Sequence, residues 1–124
     1  QDGEVLLIDM DTLCQGHPVF ELASMYNAYV GFSELDHNVS MDFLGIPYDT
    51  SVAIWKKSLP LYLGTDDADK VAEVEQKAML IGYTRLMRRR IRRNGFDSEE
   101  GRREIETYKN HIIELLDKVD TLEF

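Results

Sequence analysis

One short apolar run opens the chain, and helical periodicity governs the rest of it. Val5-Leu6-Leu7-Ile8 runs without interruption into Asp9-Met10-Asp11, the pattern of a buried strand over roughly residues 4–9 that carries carboxylates at its end. Ahead of it, Gln1-Asp2-Gly3-Glu4 reads as a hairpin turn, because Asp-Gly supplies the positive-φ positions of a tight two-residue loop. Such a turn implies a preceding strand, so the chain reads as the C-terminal part of a larger protein.

From Pro18 onward the period changes. Proline suits a first helical turn, where its missing N–H costs nothing, and Val19, Leu22, Ala23, Tyr26 and Val30 keep helical spacing until Gly31. Ser40 is a candidate cap for a short helix ending at Gly45. Asp49 or Thr50 can cap the next helix, with Val52, Trp55, Leu59 and Leu63 on one face; Pro60 inside that pattern predicts a kink or break. A long helix is expected from near Asp66 to the stop at Asn94-Gly95. Its apolar residues (Val71, Val74, Ala78, Ile81 and, offset, Leu80, Tyr83, Met87, Ile91) form more than one stripe, which predicts a central helix packed on several sides. Asp97 or Ser98 caps a last helix whose Ile105, Tyr108, Ile112, Leu115, Val119 and Leu122 alternate three and four apart, a seam for another helix. No repeat and no dividing linker is present. The expectation is a single, mainly α domain over residues 1–124, with one N-terminal strand followed by about five helices.

Composition leaves that picture intact and narrows the partners. The 124 residues suffice for one core, and 44% apolar with 30% charged residues is ordinary for a globular protein. No apolar run approaches the ~18–20 residues of a membrane span. Cys14 is the one cysteine and cannot form an internal disulfide, which points to a reducing, cytoplasmic compartment. The net charge of −9 is uneven: residues 1–55 hold nine acidic residues and no Lys or Arg. An acidic balance disfavours general nucleic-acid binding. The arginines gather instead at Arg85, Arg88, Arg89, Arg90, Arg92 and Arg93, where they would wrap the helix rather than form a stripe. Glu99, Glu100, Glu104 and Glu106 follow at once, so a salt-bridge network across a helical hairpin is the favoured reading, ahead of a surface for phosphate or an acidic partner.

Candidate chemistry is concentrated at the start. Carboxylates at a strand end suit Mg²⁺, a hard cation that takes oxygen ligands and shares them with phosphate. Elsewhere, His17, His37 and His111 share no metal-ligand spacing and Cys14 has no second cysteine, so zinc is not expected. Tyr26, Tyr29 and Phe32 at helical spacing read as core, and His17 before Pro18 as a loop or capping residue.

Leu7-Ile8-Asp9, Gly16-x-Pro18 and Glu21-Leu22-Ala23, in this order and spacing, resemble the strand-loop-helix that comes after the catalytic loop in the aminoglycoside phosphotransferase and choline kinase-like family. The resemblance covers about 25 residues directly, and the helical remainder is compatible with the helical C-lobe of that protein-kinase-like fold. It implies that Asp9 is the metal-binding aspartate holding Mg²⁺ on the phosphates of ATP, with Asp11 as a second metal-shell candidate. It also implies that Glu21 occupies the position of the aspartate that braces the catalytic loop, one methylene longer than the family's residue. The family's His-Gly-Asp loop, with its base and second metal ligand, is not found in these residues. The implied function is ATP- and Mg²⁺-dependent phosphorylation of a small-molecule hydroxyl, on an aminoglycoside- or choline-like acceptor, by the intact protein. The chain alone is expected to be inactive and to bind neither cofactor by itself.

Two other readings stand beside this one: an autonomous helical interaction domain using the final seam, and, less favoured, a nucleic-acid accessory module using the arginines. An unpaired Val5–Ile8 strand is a template for self-association. The expectation is therefore either a homodimer through Val5–Ile8 or other exposed apolar faces, or a strand displaced from the fold.

Overall fold

The computed structural model describes residues 3–11 and 13–124. Five α-helices succeed one another: α1 (Val19–Tyr29), α2 (Asn38–Leu44), α3 (Tyr48–Leu63), α4 (Ala68–Arg92) and α5 (Glu99–Leu116), with 3₁₀ turns at Gly31–Ser33 and Gly95–Asp97. Among the described residues no helix is long and apolar enough to cross a membrane.

The expected strand does not form. Residues 4–10 have no regular secondary structure, and Val5, Leu6, Leu7 and Ile8 are 78–90% exposed. A strand is stable only when its backbone donors and acceptors meet a neighbouring strand, and no second strand exists among the described residues to supply them. Asp9 adopts φ 57°, a left-handed conformation that ends any extended run and that Asp tolerates better than most residues. Within the single chain the segment is displaced from the fold, packing on none of the helices as a strand. The hairpin turn assigned to Gln1-Asp2-Gly3-Glu4 begins at residues outside those described.

Helix boundaries track local chemistry closely. Pro18 is the N-cap of α1, and Tyr29 closes it ahead of Gly31. Asp67 caps α4, its carboxylate accepting from the backbone N–H groups of Asp69 and Lys70 at 3.0 and 3.3 Å. Ser98 caps α5 by accepting from the Gly101 N–H. Three expectations need correction. Ser40 lies inside α2 and donates from its buried hydroxyl to the Ile46 carbonyl at 3.0 Å; the helix starts instead beside Asp36, whose carboxylate accepts from the Asn38 N–H. Neither Asp49 nor Thr50 caps α3, which begins directly after Pro47. Pro60 does not break α3, because it lies in the last turn, where a missing N–H disturbs one bond only. The Thr65 N–H then closes on the Pro60 carbonyl, and Gly64 at φ 65° turns the chain.

The helix α4 is central, as its several apolar stripes predict. It packs chiefly on α5 and α1, and Val74, Ala78, Leu80, Tyr83 and Leu86 are buried on it. Trp55 of α3, Tyr26 of α1 and Tyr83 of α4 meet edge to face, with ring centroids 5.6 and 5.8 Å apart. Such pairs add about 0.5–1.5 kcal/mol each beyond their burial. The seam of α5 is consumed internally: Ile105, Tyr108 and Leu115 are buried and Ile112 packs on the core; the helix ends at Leu116, short of the expected seam, and Val119 and Leu122 pack there from beyond it. Two glycines set how closely the helices approach. A Cβ on Gly82 would lie 2.8 Å from Asn27 Oδ1, and one on Gly101 would lie 2.1 Å from the Gly95 carbonyl oxygen. The first brings α1 onto α4 and the second fixes the α4–α5 hairpin.

Candidate functional site

The residues singled out for metal chemistry stand apart from the helical core. Asp9 and Asp11 are exposed, and neither carboxylate makes a hydrogen bond or ion pair among the described residues. Glu21 is also exposed, in the first turn of α1, where an acidic side chain interacts favourably with the helix dipole. No group of three or more His, Cys, Asp or Glu capable of holding a metal occurs among the described residues. An all-protein cage is therefore not built here. A Mg²⁺ shared with phosphates needs only one or two carboxylates, the number that Asp9 and Asp11 could supply.

The loop leading into α1 is tied to the helices. His17 Nδ1 accepts from the Val19 N–H at 3.2 Å, the capping role expected of it, and its ring meets Phe124 edge to face at 4.8 Å. Leu22 and Ala23, next to Glu21, are buried at 3% and 0% exposure. The C-terminal end is held by Lys77 of α4, 4% exposed, which pairs with Glu73 at 2.6 Å and donates to the Glu123 carbonyl.

The arginine cluster is not the salt-bridge network that its sequence neighbours suggest. Among the described residues, only Arg90 of the cluster pairs with an acidic residue, its Nε lying 2.7 Å from Glu104 Oε2 but out of line for a hydrogen bond. Glu106 pairs with Lys109 instead, and Glu99 and Glu100 lie exposed in the first turn of α5. The hairpin register imposed by Gly95 and Gly101 offers Arg90 just one of the four carboxylates. Arg85 donates to the Phe20 carbonyl and Ser24 hydroxyl at 2.9 and 2.7 Å, joining α4 to α1. The Arg89 guanidinium lies over the Phe32 ring, 5.0 Å from its centroid. Arg88, Arg92 and Arg93 have no ion-pair partner among the described residues.

Sequence reasoning missed a cavity of about 380 Å³ beside this cluster. Its apolar lining comes from Phe32, Val39, Phe43 and Leu86; Arg89, Arg90, Arg93, Glu104 and Tyr108 supply its polar side. Phe32 and Phe43 meet edge to face at 6.0 Å. Burial, reinforced by Glu104, pushes the Tyr108 phenol up to about 12, so it remains a neutral donor at any ordinary pH. The arginines were legible; the aromatic wall was not, because Phe32 and Phe43 lie on different elements, brought together only by the fold.

A second polar assembly runs through the core. The Tyr26 and Tyr83 hydroxyls lie 2.9 Å apart, Tyr83 donates to Glu34 Oε2 at 2.8 Å, and Glu34 Oε1 lies 3.0 Å from His111 Nε2. His111 also stacks on Tyr83, with centroids 4.5 Å apart. Burial holds both phenols well above their ordinary range; the facing phenol and Glu34 push Tyr83 higher still. The Tyr26 reading as core is thereby borne out, with a polar function inside the core that periodicity does not reveal.

No family model, curated protein or solved structure matches this chain.

Proposed function

We propose that this chain is the helical lobe of an ATP- and Mg²⁺-dependent phosphotransferase that phosphorylates a hydroxyl of a small molecule. Asp9 is the metal carboxylate, Asp11 assists it, and Glu21 braces the catalytic loop, which is not found in these residues. The observation that carries the reading is the arrangement from Ile8 to Ala23. An apolar run ends on an unpaired, exposed aspartate, and a loop containing Gly16 then leads to a helix opened at Pro18 with Glu21, Leu22 and Ala23 in its first turns. Bound Mg²⁺ would neutralise charge on the transferred phosphoryl group. Asp9 and Asp11 would hold the ion, and the stretch around His17 fixes their connection to the bundle. The acidic first half, free of Lys and Arg up to residue 55, favours a cationic acceptor of aminoglycoside or choline type. One carboxylate pair without a general base or a full phosphate clamp supplies too little positioning for catalysis, so the chain alone turns over no ATP. An interaction domain built on the α5 seam is disfavoured, since α4 already covers that seam.

Paramagnetic Mn²⁺ broadens resonances even through transient encounters, so it tests the assignment on a chain that holds no metal stably. Low concentrations should bleach the amide resonances around Asp9 and Asp11 before all others, and Asp9→Asn should abolish the preference. Bleaching that begins at the acidic turn of Asp66, Asp67 and Asp69, or an unchanged pattern in Asp9→Asn, would remove Asp9 from the metal.

A further inference from the structure

The cavity beside α4 combines an aromatic lining with an excess of positive charge. Phe32, Val39 and Phe43 supply apolar lining, and Arg89, whose guanidinium lies over the Phe32 ring at 5.0 Å, joins Arg90 and Arg93 in lining it with a single counter-charge, Glu104. Two positive charges are left unbalanced at its mouth, on a chain whose net charge is −9. The helix dipole favours cations in a last turn but does not explain why they surround an apolar cleft. Within the helix they repel one another: Arg85 and Arg89, Arg88 and Arg92, and Arg89 and Arg93 are i,i+4 pairs of like charge. Tyr108, 8% exposed, lines the same cavity with a hydroxyl that has no hydrogen-bond partner among the described residues. The volume of about 380 Å³ falls within the range of small-molecule sites.

We propose that this cavity binds a phosphate monoester of a small apolar alcohol or phenol, its dianionic head held by Arg89 and Arg93 and its apolar body seated against Phe32 and Phe43. The dianion matches the two unbalanced charges, where a carboxylate would leave one. Guanidinium groups take phosphate oxygens in pairs, with charge-assisted hydrogen bonds stronger than neutral ones. Tyr108, protonated, adds a neutral donor from the cavity wall. Phe43, 61% exposed, gains cover that the free protein does not give it. The proposal uses none of the residues assigned to metal binding and does not rest on the phosphotransferase reading.

Titration of the ¹⁵N-labelled chain with phenyl phosphate, monitored by amide shifts, tests it against three comparators: inorganic phosphate, phenol and benzoate. Phenyl phosphate should shift Phe32, Val39 and Phe43 saturably, with affinity about tenfold above inorganic phosphate or phenol. Arg93→Gln, at an exposed position without an ion-pair partner, should weaken phenyl phosphate roughly fivefold. Phe43→Ser should weaken phenyl phosphate while leaving inorganic phosphate unchanged. Phenyl phosphate binding no tighter than inorganic phosphate, shifts confined to other surfaces, or full affinity in both variants would overturn the site. Benzoate binding as tightly as phenyl phosphate would overturn the assignment of a dianion.

Discussion

Alkaline pH should unfold this protein through its buried phenols. Tyr26 and Tyr83 are 4% and 1% exposed, and burial holds both hydroxyls far above the ordinary phenol value of about 10. The folded chain therefore keeps its protons where the unfolded chain has lost them. Stability from these groups is complete below the unfolded value and falls as pH rises toward the folded ones. At pH 11, each phenol that stays protonated in the fold and ionises in the unfolded chain removes about 1.4 kcal/mol. The pair removes about 3 kcal/mol, a large part of the ~5–15 kcal/mol that a domain possesses. Tyr108, pushed up to about 12, acts in the same direction. Far-UV circular dichroism and tyrosinate absorbance recorded on one pH series check this. Helix loss and ionisation of these three phenols should share one transition. Tyr83→Phe should destabilise the chain by about 1.5–3 kcal/mol at neutral pH, because Glu34 loses a donor and Tyr26 loses its partner. Its deficit should then shrink above pH 10, since one ionisable phenol is gone. Full tyrosinate absorbance with the helices intact would refute the reasoning.

Two further substitutions probe how the helices are held. Gly82→Ala should cost about 1–3 kcal/mol by overpacking, because its methyl would lie 2.8 Å from Asn27 Oδ1 and 3.1 Å from Tyr26 Cδ1; Asn27→Ala in the same chain should recover part of that loss in a urea-denaturation cycle, and strict additivity would count against the contact. Lys77→Met should free the C-terminal end from α4, read as faster amide exchange at Leu122 and Phe124 with little change in the melting of α4. The neighbouring Lys77–Glu73 pair weakens in acid: hydrogen bonds from Lys77 and Lys70 hold Glu73 below its ordinary value of 4.5, so its contribution is full above that pH and is lost as pH falls.

Local signals located the helices because helix ends are decided by neighbours in sequence. Ser98 reaches the N–H three residues on, and Asn94, at φ 59°, supplies the left-handed residue that ends α4 one position before the expected glycine. Ser40 misleads for a physical reason. Its hydroxyl serves the Ile46 carbonyl, and a buried serine looks the same in sequence as a capping one. Val5–Ile8 fails differently: its pattern is that of a strand, but strand formation is a property of a pair, and no second strand forms among the described residues.

The arginines show the same division between what is local and what is not. Their density was visible, but their pairing depended on the register of α5 against α4, fixed where the Gly101 backbone rests on the Gly95 carbonyl. That register directs one glutamate to Arg90 and the others to solvent or to Lys109. Acidic residues that come directly after basic ones are therefore poor counter-ions when so short a turn separates the helices, since the first turn of the second helix is spent at the hairpin corner. Charges left over in this way remain available to a ligand, and here they border the aromatic-walled cavity beside α4. Asp9 is left over in a parallel sense, a carboxylate without a partner among the described residues at the end of an apolar run. An unpaired charge next to unburied apolar surface is the shared physical basis for both proposals.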